Sequence, residues 1–218
     1  MFFFNFLYSI YEFIRISFFF SNFIKKKTVA VVGNSKNLIN NKLGKRIDHF
    51  SIVIRFNLSK INRYKKYVGS KTTINVINEN VFLNRKVRYK KINYKKIYKD
   101  KKILFIIIIS KNELNKIYRD KLEIIFPKKY IIIDKRINLF FRFFLYFTNR
   151  RFKVKKNFTS GLIILLILFF NKIKFVAYGF DKKKSKNNYK YYDVARLYNF
   201  ENEHDLITEN RILNYIKI

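Results

Sequence analysis

The chain has 218 residues, 48 Lys and Arg against 14 Asp and Glu, a formal charge of +34, and 49 % apolar and 19 % aromatic residues. That apolar content excludes a disordered chain, because it can form a core despite the charge; five Gly and one Pro exclude a collagen-like or linker-rich one. With no Cys and two His, disulfide frameworks, thiolate metal sites and multi-His centres drop out, and the length fits one domain.

Residues 1–24 are predominantly apolar and aromatic, with Glu12 and Arg15 as their charged residues, and are followed by Lys25, Lys26 and Lys27. The length suffices for a bilayer span, which needs roughly 20 apolar residues. The two charges are costly there, but their three-residue spacing lets a helix pair them. No basic segment precedes the apolar run and no small-residue cleavage site follows it, which argues against a cleaved signal peptide. We read 1–24 as an N-terminal apolar helix, a membrane anchor or interfacial segment, with an amphipathic helix packed on the domain as the alternative. If it spans, the trailing lysines keep the remainder cytoplasmic. Separating 1–24 from a domain over 25–218 predicts that its removal leaves a soluble, nucleotide-binding protein.

Beyond it, short β-branched runs ending in glycine or polar residues predict buried strands at 28–32, 51–56, 72–77, 103–109, 130–133 and 174–178. Helical spacing falls on 112–125, 138–147 and 162–170, and a last helix begins near His204. The Lys/Tyr-rich stretch 84–102 reads as helix or loop with a solvated basic face, and 181–188 as a polar basic loop. Strands alternating with helices predict a largely parallel α/β sheet covered on both faces. Val29–Val32, Val53, Ile54, Ile106–Ile108 and Phe175–Ala177 are expected to be buried on both sides of that sheet.

The charge suggests a polyanionic partner, a nucleic acid or an anionic membrane. Lys, Asn, Ile, Phe and Tyr are abundant together, however, and all are written with A/T-rich codons. Drift in base composition explains the Phe and Ile excess, which nucleic-acid binding does not. The charge is therefore weak evidence about partners, although anion binding remains salt-sensitive either way.

Several residues point to chemistry on their own terms. The turn Val31-Val32-Gly33-Asn34-Ser35 follows the first strand, as phosphate-seating turns of α/β folds do. It has neither the dinucleotide nor the P-loop glycine spacing, and taken alone it reads first as a plain strand-to-helix turn. Thr159-Ser160-Gly161 opens an apolar helix, where hydroxyls cap and free N–H groups receive an anion. Arg55 and Asn57 share a face by period-two spacing at the end of the second strand, where open α/β sheets bind ligands. His204, five residues before Glu209, is the best general-base candidate near neutral pH.

In chain order these pieces carry a resemblance. V-A-V-V-G-N-S (29–35), I-D-H-F-S-I-V-I-R-F-N (47–57) and V-G-S-K-T-T (68–73) resemble the long sialyl motif of glycosyltransferase family 29, the eukaryotic-type sialyltransferases. T-S-G-L-I-I-L-L (159–166) followed by K-F-V-A-Y-G-F (174–180) resembles that family's short motif. Y-K-Y-Y-D (189–193) resembles the third motif, and H-D-L-I-T-E (204–209) the very short one.

The resemblance implies a single-domain, GT-A-like α/β fold and an inverting transfer of sialic acid from CMP-sialic acid to a glycan or glycolipid hydroxyl, with no metal cofactor. It implies that Asn34 and Asn57 contact the cytidine monophosphate, that Ser35 supports the phosphate turn beside Gly33, and that Ser160 and Gly161 offer backbone groups to the donor. Arg55, Thr159 and Glu209 complete the expected donor-binding set. His204 becomes the general base, with Lys190, Tyr191 and Tyr192 near the leaving phosphate.

Three departures shape the expectation. The disulfide joining the long and short motifs in animal members is absent, which fits a reducing compartment, so a membrane-associated protein on the cytoplasmic face is expected rather than a Golgi-lumen enzyme. Lys190 replaces the third motif's usual His. The chain is short, so acceptor-binding insertions are trimmed and acceptor identity does not carry over. The alternatives are another CMP-activated acidic sugar such as Kdo, or a non-enzymatic basic protein binding nucleic acid or membrane. Lys outnumbers Arg and no nucleic-acid motif is present, so no specific nucleic acid is expected.

Overall fold

The computed structural model describes residues 2–57, 59–79, 105–110, 120, 123, 130–150, 152, 154, 156–180 and 206–217. The strands predicted at 103–109 and 174–178 appear as β4 (Phe105–Ser110) and β6 (Phe175–Tyr178). The other four are β1 (Val29–Val32), β2 (Ile52–Phe56), β3 (Ile74–Asn78) and β5 (Tyr130–Asp134). They form one sheet in the order β5-β4-β3-β2-β1-β6, and every pairing is parallel. Parallel strands need both faces covered, which is why the central ones read as unbroken Val/Ile runs.

Side chains alternate between two cores along each strand. Val29, Val31, Ile52, Ile54, Phe56, Ile74 and Val76 face one layer. That layer is built from α1 (Phe2–Ile24), α4 (Ile137–Thr148), α5 (Ser160–Phe170) and α6 (Leu206–Tyr215). Ala30, Val32 and Val53 face the other, under the short helices α2 (Gly44–Asp48) and α3 (Lys65–Val68) and a 3₁₀ turn at Lys36–Asn40. Every residue from Leu162 to Leu168 in α5 is buried, so this helix is the centre of the larger core.

The predicted burial of 175–177 is corrected by the topology. β6 is an edge strand, with Phe175 and Ala177 half-buried and Val176 exposed. The side chains of 106–108, and the segments predicted at 84–102, 112–125 (all but Asp120 and Glu123) and 181–188, lie outside the described residues.

Helix α1 shares the main core. Ile16, Phe20 and Ile24 are fully enclosed in the same cluster as α5. Phe13 stacks on Phe140 of α4 with ring centroids 4.2 Å apart. Glu12 and Arg15 pair at 2.8 Å, as their spacing predicts. The pair also grips the end of β5: Glu12 Oε1 accepts from the Asp134 amide at 2.9 Å, and Arg15 donates to the Ile132 carbonyl. Among the described residues, no helix is long and apolar enough to cross a membrane.

Candidate functional site

The C-terminal ends of β1, β2 and β6 meet the N-terminus of α5, so the parts of the long and short motifs converge. Gly33, just past β1, donates its N–H to the Tyr178 carbonyl at 2.7 Å. A Cβ at Gly33 would lie 2.4 Å from the Gly179 carbonyl oxygen and 3.3 Å from Phe180 Cε2. A Cβ at Gly161 would lie 2.9 Å from Phe180 Cε1. The two glycines therefore border opposite edges of one ring, which also meets Phe56 edge-on at 6.0 Å.

The two asparagines are fixed by their surroundings. Asn34 donates Nδ2 to the Phe56 carbonyl at 3.2 Å, and its Oδ1 accepts from Ser59 at 2.7 Å. Asn57 lies one residue beyond β2 with φ 54, in the left-handed region that Asn tolerates better than most residues. Its N–H donates to the Val76 carbonyl at 2.6 Å and its Oδ1 accepts from the Asn78 amide at 3.1 Å, tying the ends of β2 and β3 together. Ser35 caps the 3₁₀ turn by accepting from the Asn37 amide at 3.2 Å.

Arg55 differs from its expected place in the donor site. Period two stops at Phe56 because Asn57 turns left-handed, so the two side chains do not share a strand face. The Arg55 guanidinium is buried and donates to the carbonyls of Val68 at 2.6 Å and Lys71 at 2.9 Å. Asp48 fastens the same loop, accepting from the amides of Ser70 and Lys71 and from the Ser70 hydroxyl at 2.8–2.9 Å. Burial opposes ionisation of Asp48, but those donors and the nearby Arg55 outweigh it and hold its carboxyl below the ordinary range.

At α5, Thr159 is the N-cap and its Oγ1 accepts from the Leu162 amide at 3.2 Å. The N–H groups of Ser160 and Gly161, in the first helical turn, have no intrahelical acceptor. Glu209 of α6 reaches across: Oε1 accepts from the Thr159 amide at 2.6 Å and Oε2 from the Thr159 hydroxyl at 3.0 Å. Glu209 is thus a buried brace between α6 and the α5 terminus. His204, Lys190, Tyr191 and Tyr192 lie outside the described residues.

Sequence reasoning missed Phe180 and Ser59. The available signal for Phe180 was an aromatic directly after Gly179, with two further glycines at motif turns. Ser59 carried none.

The family model for glycosyltransferase family 29 (sialyltransferase) matches residues 22–217. A β-1,6-galactosyltransferase of Arabidopsis thaliana is 54 % identical over 52 residues, 24 % of this chain and 13 % of that protein. A β-galactoside α-2,6-sialyltransferase 2 of Bos taurus is 40 % identical over 58 residues, 27 % of this chain and 12 % of that protein. The matched stretches thus span a small part of these relatives' own lengths. A mammalian sialyltransferase crystallised with Gal-β-1-3GalNAc-ortho-nitrophenol superposes with a TM-score of 0.57 at 18 % identity, covering 95 % of this chain and 75 % of that one. That likeness is one of fold.

Proposed function

This chain belongs to glycosyltransferase family 29, the sialyltransferase family, and from that membership we propose that it transfers sialic acid from CMP-sialic acid to a hydroxyl of a glycan or glycolipid. The observation that carries the reading is the convergence of Gly33, Asn34, Asn57 and the opening turn of α5 at the strand ends. Hydrogen bonds fix Asn34 and Asn57 at the strand ends, and the N–H groups of Ser160 and Gly161, which have no intrahelical acceptor, suit an anionic donor.

The reaction is a single inverting displacement. The acceptor oxygen forms a bond to the anomeric carbon as the bond from that carbon to the CMP phosphate breaks. The acceptor proton passes to His204, a contribution of about 10²–10⁴-fold from a general base. Lys190 offsets charge on the departing phosphate, with Tyr191 and Tyr192 beside it. The phosphate leaves as a stable anion, so the step requires no divalent ion. Glu209 acts through Thr159, as a positioning residue.

The test is CMP release from CMP-sialic acid by the purified full chain, with and without EDTA, in wild type and His204→Ala. Release insensitive to EDTA, and transfer reduced about 10²-fold or more in the variant, are expected. Wild-type transfer by His204→Ala overturns the base assignment. Lys190→His, which restores the family residue, is expected to preserve or raise activity.

A second reading concerns the donor. A relative at 54 % identity is named a galactosyltransferase, and a CMP-activated acidic sugar such as Kdo fits the same nucleotide motifs. Assays with CMP-Kdo and UDP-galactose alongside CMP-sialic acid separate the three. Turnover of UDP-galactose alone replaces the leading reading.

A further inference from the structure

The outward face of α1 is unlike that of a helix packed on a soluble domain. Of the exposed large hydrophobic side chains in the described residues, six lie on α1 and four on α4, against three elsewhere. On α1, Phe4, Leu7, Tyr11, Ile14 and Phe18 recur every three or four residues and form one stripe, opposite the core residues Ile16, Phe20 and Ile24. Phe4 and Phe18, fourteen residues apart, are 75 % and 72 % exposed. A surface helix of a globular domain carries polar residues there; one apolar all round is surrounded by apolar material.

The patch continues onto α4. Phe6 meets Phe143 at 4.7 Å, and Phe143 meets the exposed Phe147 at 4.4 Å. Of the two charges within α1, Glu12 is buried, and the exposed Arg15 stands at the edge of the stripe, tied to Glu12 and to the backbone of β5. At its end stand Lys25, Lys26 and Lys27, all exposed.

Charge selects what covers this face. The chain carries +34, so a second copy is repelled while an anionic surface is attracted. The core face of α1 is fixed inside the fold, and no described helix is long and apolar enough to cross a bilayer. We propose that α1 is an in-plane interfacial helix. Its stripe and the α4 aromatics enter the headgroup boundary of an anionic bilayer, Lys25–Lys27 contact the lipid phosphates, and the domain is held rigidly against the surface. The proposal stands apart from the transferase reading, and its test contains no sugar.

The test uses the full chain with phosphatidylcholine vesicles that contain or lack phosphatidylglycerol. Binding only to the anionic vesicles, weakening with added salt, is expected. The triple variant Leu7→Ser, Ile14→Ser, Phe18→Ser changes exposed side chains only, so it is expected to keep the wild-type melting curve and lose about tenfold or more in vesicle affinity. Depth fixes the orientation. The chain has no Cys, so a probe attached at Phe4→Cys or Phe18→Cys reports one site, read with lipids that carry quenchers at known depths. Equal depths are expected for an in-plane helix. A spanning helix would separate the two by about 21 Å at 1.5 Å per residue. Unchanged vesicle affinity in the folded triple variant, or depths that differ by most of that span, would overturn the proposal. So would a lipid-free dimer that the triple variant abolishes, combined with no vesicle binding by the wild type.

Discussion

Glu209 and Thr159, fifty residues apart in sequence, are joined by two hydrogen bonds between one carboxylate and the capping residue of α5. Within one segment, a capping box lets an acidic residue at the third helical position satisfy the N–H of the cap. That position here is Leu162, which cannot, and Glu209 supplies the acceptor from another helix. Glu209→Ala leaves the Thr159 N–H without this partner and is expected to cost about 1–3 kcal/mol in urea unfolding. Thr159→Val removes the hydroxyl but keeps the N–H, for about 1 kcal/mol. The double variant is expected to cost less than the sum, because the two side chains share a bond. Additive losses would show that the bond carries no energy.

The ring of Phe180 sets different tolerances at the two glycines beside it. Gly33→Ala drives a methyl to 2.4 Å from a backbone oxygen that cannot move without disturbing β6, so a loss of about 2–3 kcal/mol or more is expected. Gly161→Ala meets only the edge of the ring at 2.9 Å. Adding Phe180→Ala is therefore expected to relieve most of the Gly161→Ala penalty and little of the Gly33→Ala penalty. Urea melts of the two double variants decide it; equal relief at both positions contradicts this account of the packing.

The sheet was legible because parallel strands buried on both faces leave no alternation to misread. Runs such as Val29–Val32 and Ile52–Ile54 announce themselves by composition alone. What failed depended on neighbours that the sequence does not show. Burial of 175–177 was overstated because β6 resembles the central strands in sequence yet has a partner on one side only. Arg55 was assigned to a ligand because its position on β2 was visible while the Val68 and Lys71 carbonyls that receive it were not. The convergence of Gly33 and Gly161 was expected from the motifs, but the ring between them was not. The one-turn helix Gly44–Asp48 is too short to show periodicity. For α1, apolar residues all round hid which face enters the core, and with it the burial of Ile16, Phe20 and Ile24 in the main cluster.

Removal of α1 is a direct check on that last point. Deleting residues 1–24 strips Ile16, Phe20 and Ile24 from the core, at about 1.5–3 kcal/mol each. It also exposes the faces of α4 and α5 and frees the end of β5 from Glu12 and Arg15. Total stabilities are about 5–15 kcal/mol, so the truncated chain is expected to be largely unfolded or aggregated, not a soluble nucleotide-binding protein. Circular dichroism and gel filtration of the truncated protein check this; a monomeric, cooperatively melting product would show that the core closes without α1.

Asp48 sets an acid limit on the loop that leads into β3. Its carboxyl is held below the ordinary range: burial works against the charged form, but the amides of Lys71 and Ser70, the Ser70 hydroxyl and Arg55 together favour it more. The folded state thus binds that proton less readily than the unfolded chain, and the difference stabilises the fold wherever the unfolded carboxyl is ionised. The contribution is complete above the ordinary aspartate pKa of about 4 and is lost as pH falls through the lower folded value. Wild type is therefore expected to lose stability across that acid window. Asp48→Asn, which cannot ionise, is expected to be less stable at neutral pH and to show a shallower decline on acidification, so that the two curves converge at low pH. Both follow from urea midpoints measured from pH 7 downward. Parallel curves with a constant offset would show that Asp48 acts through its hydrogen bonds alone, and that its charge contributes nothing to fastening the loop.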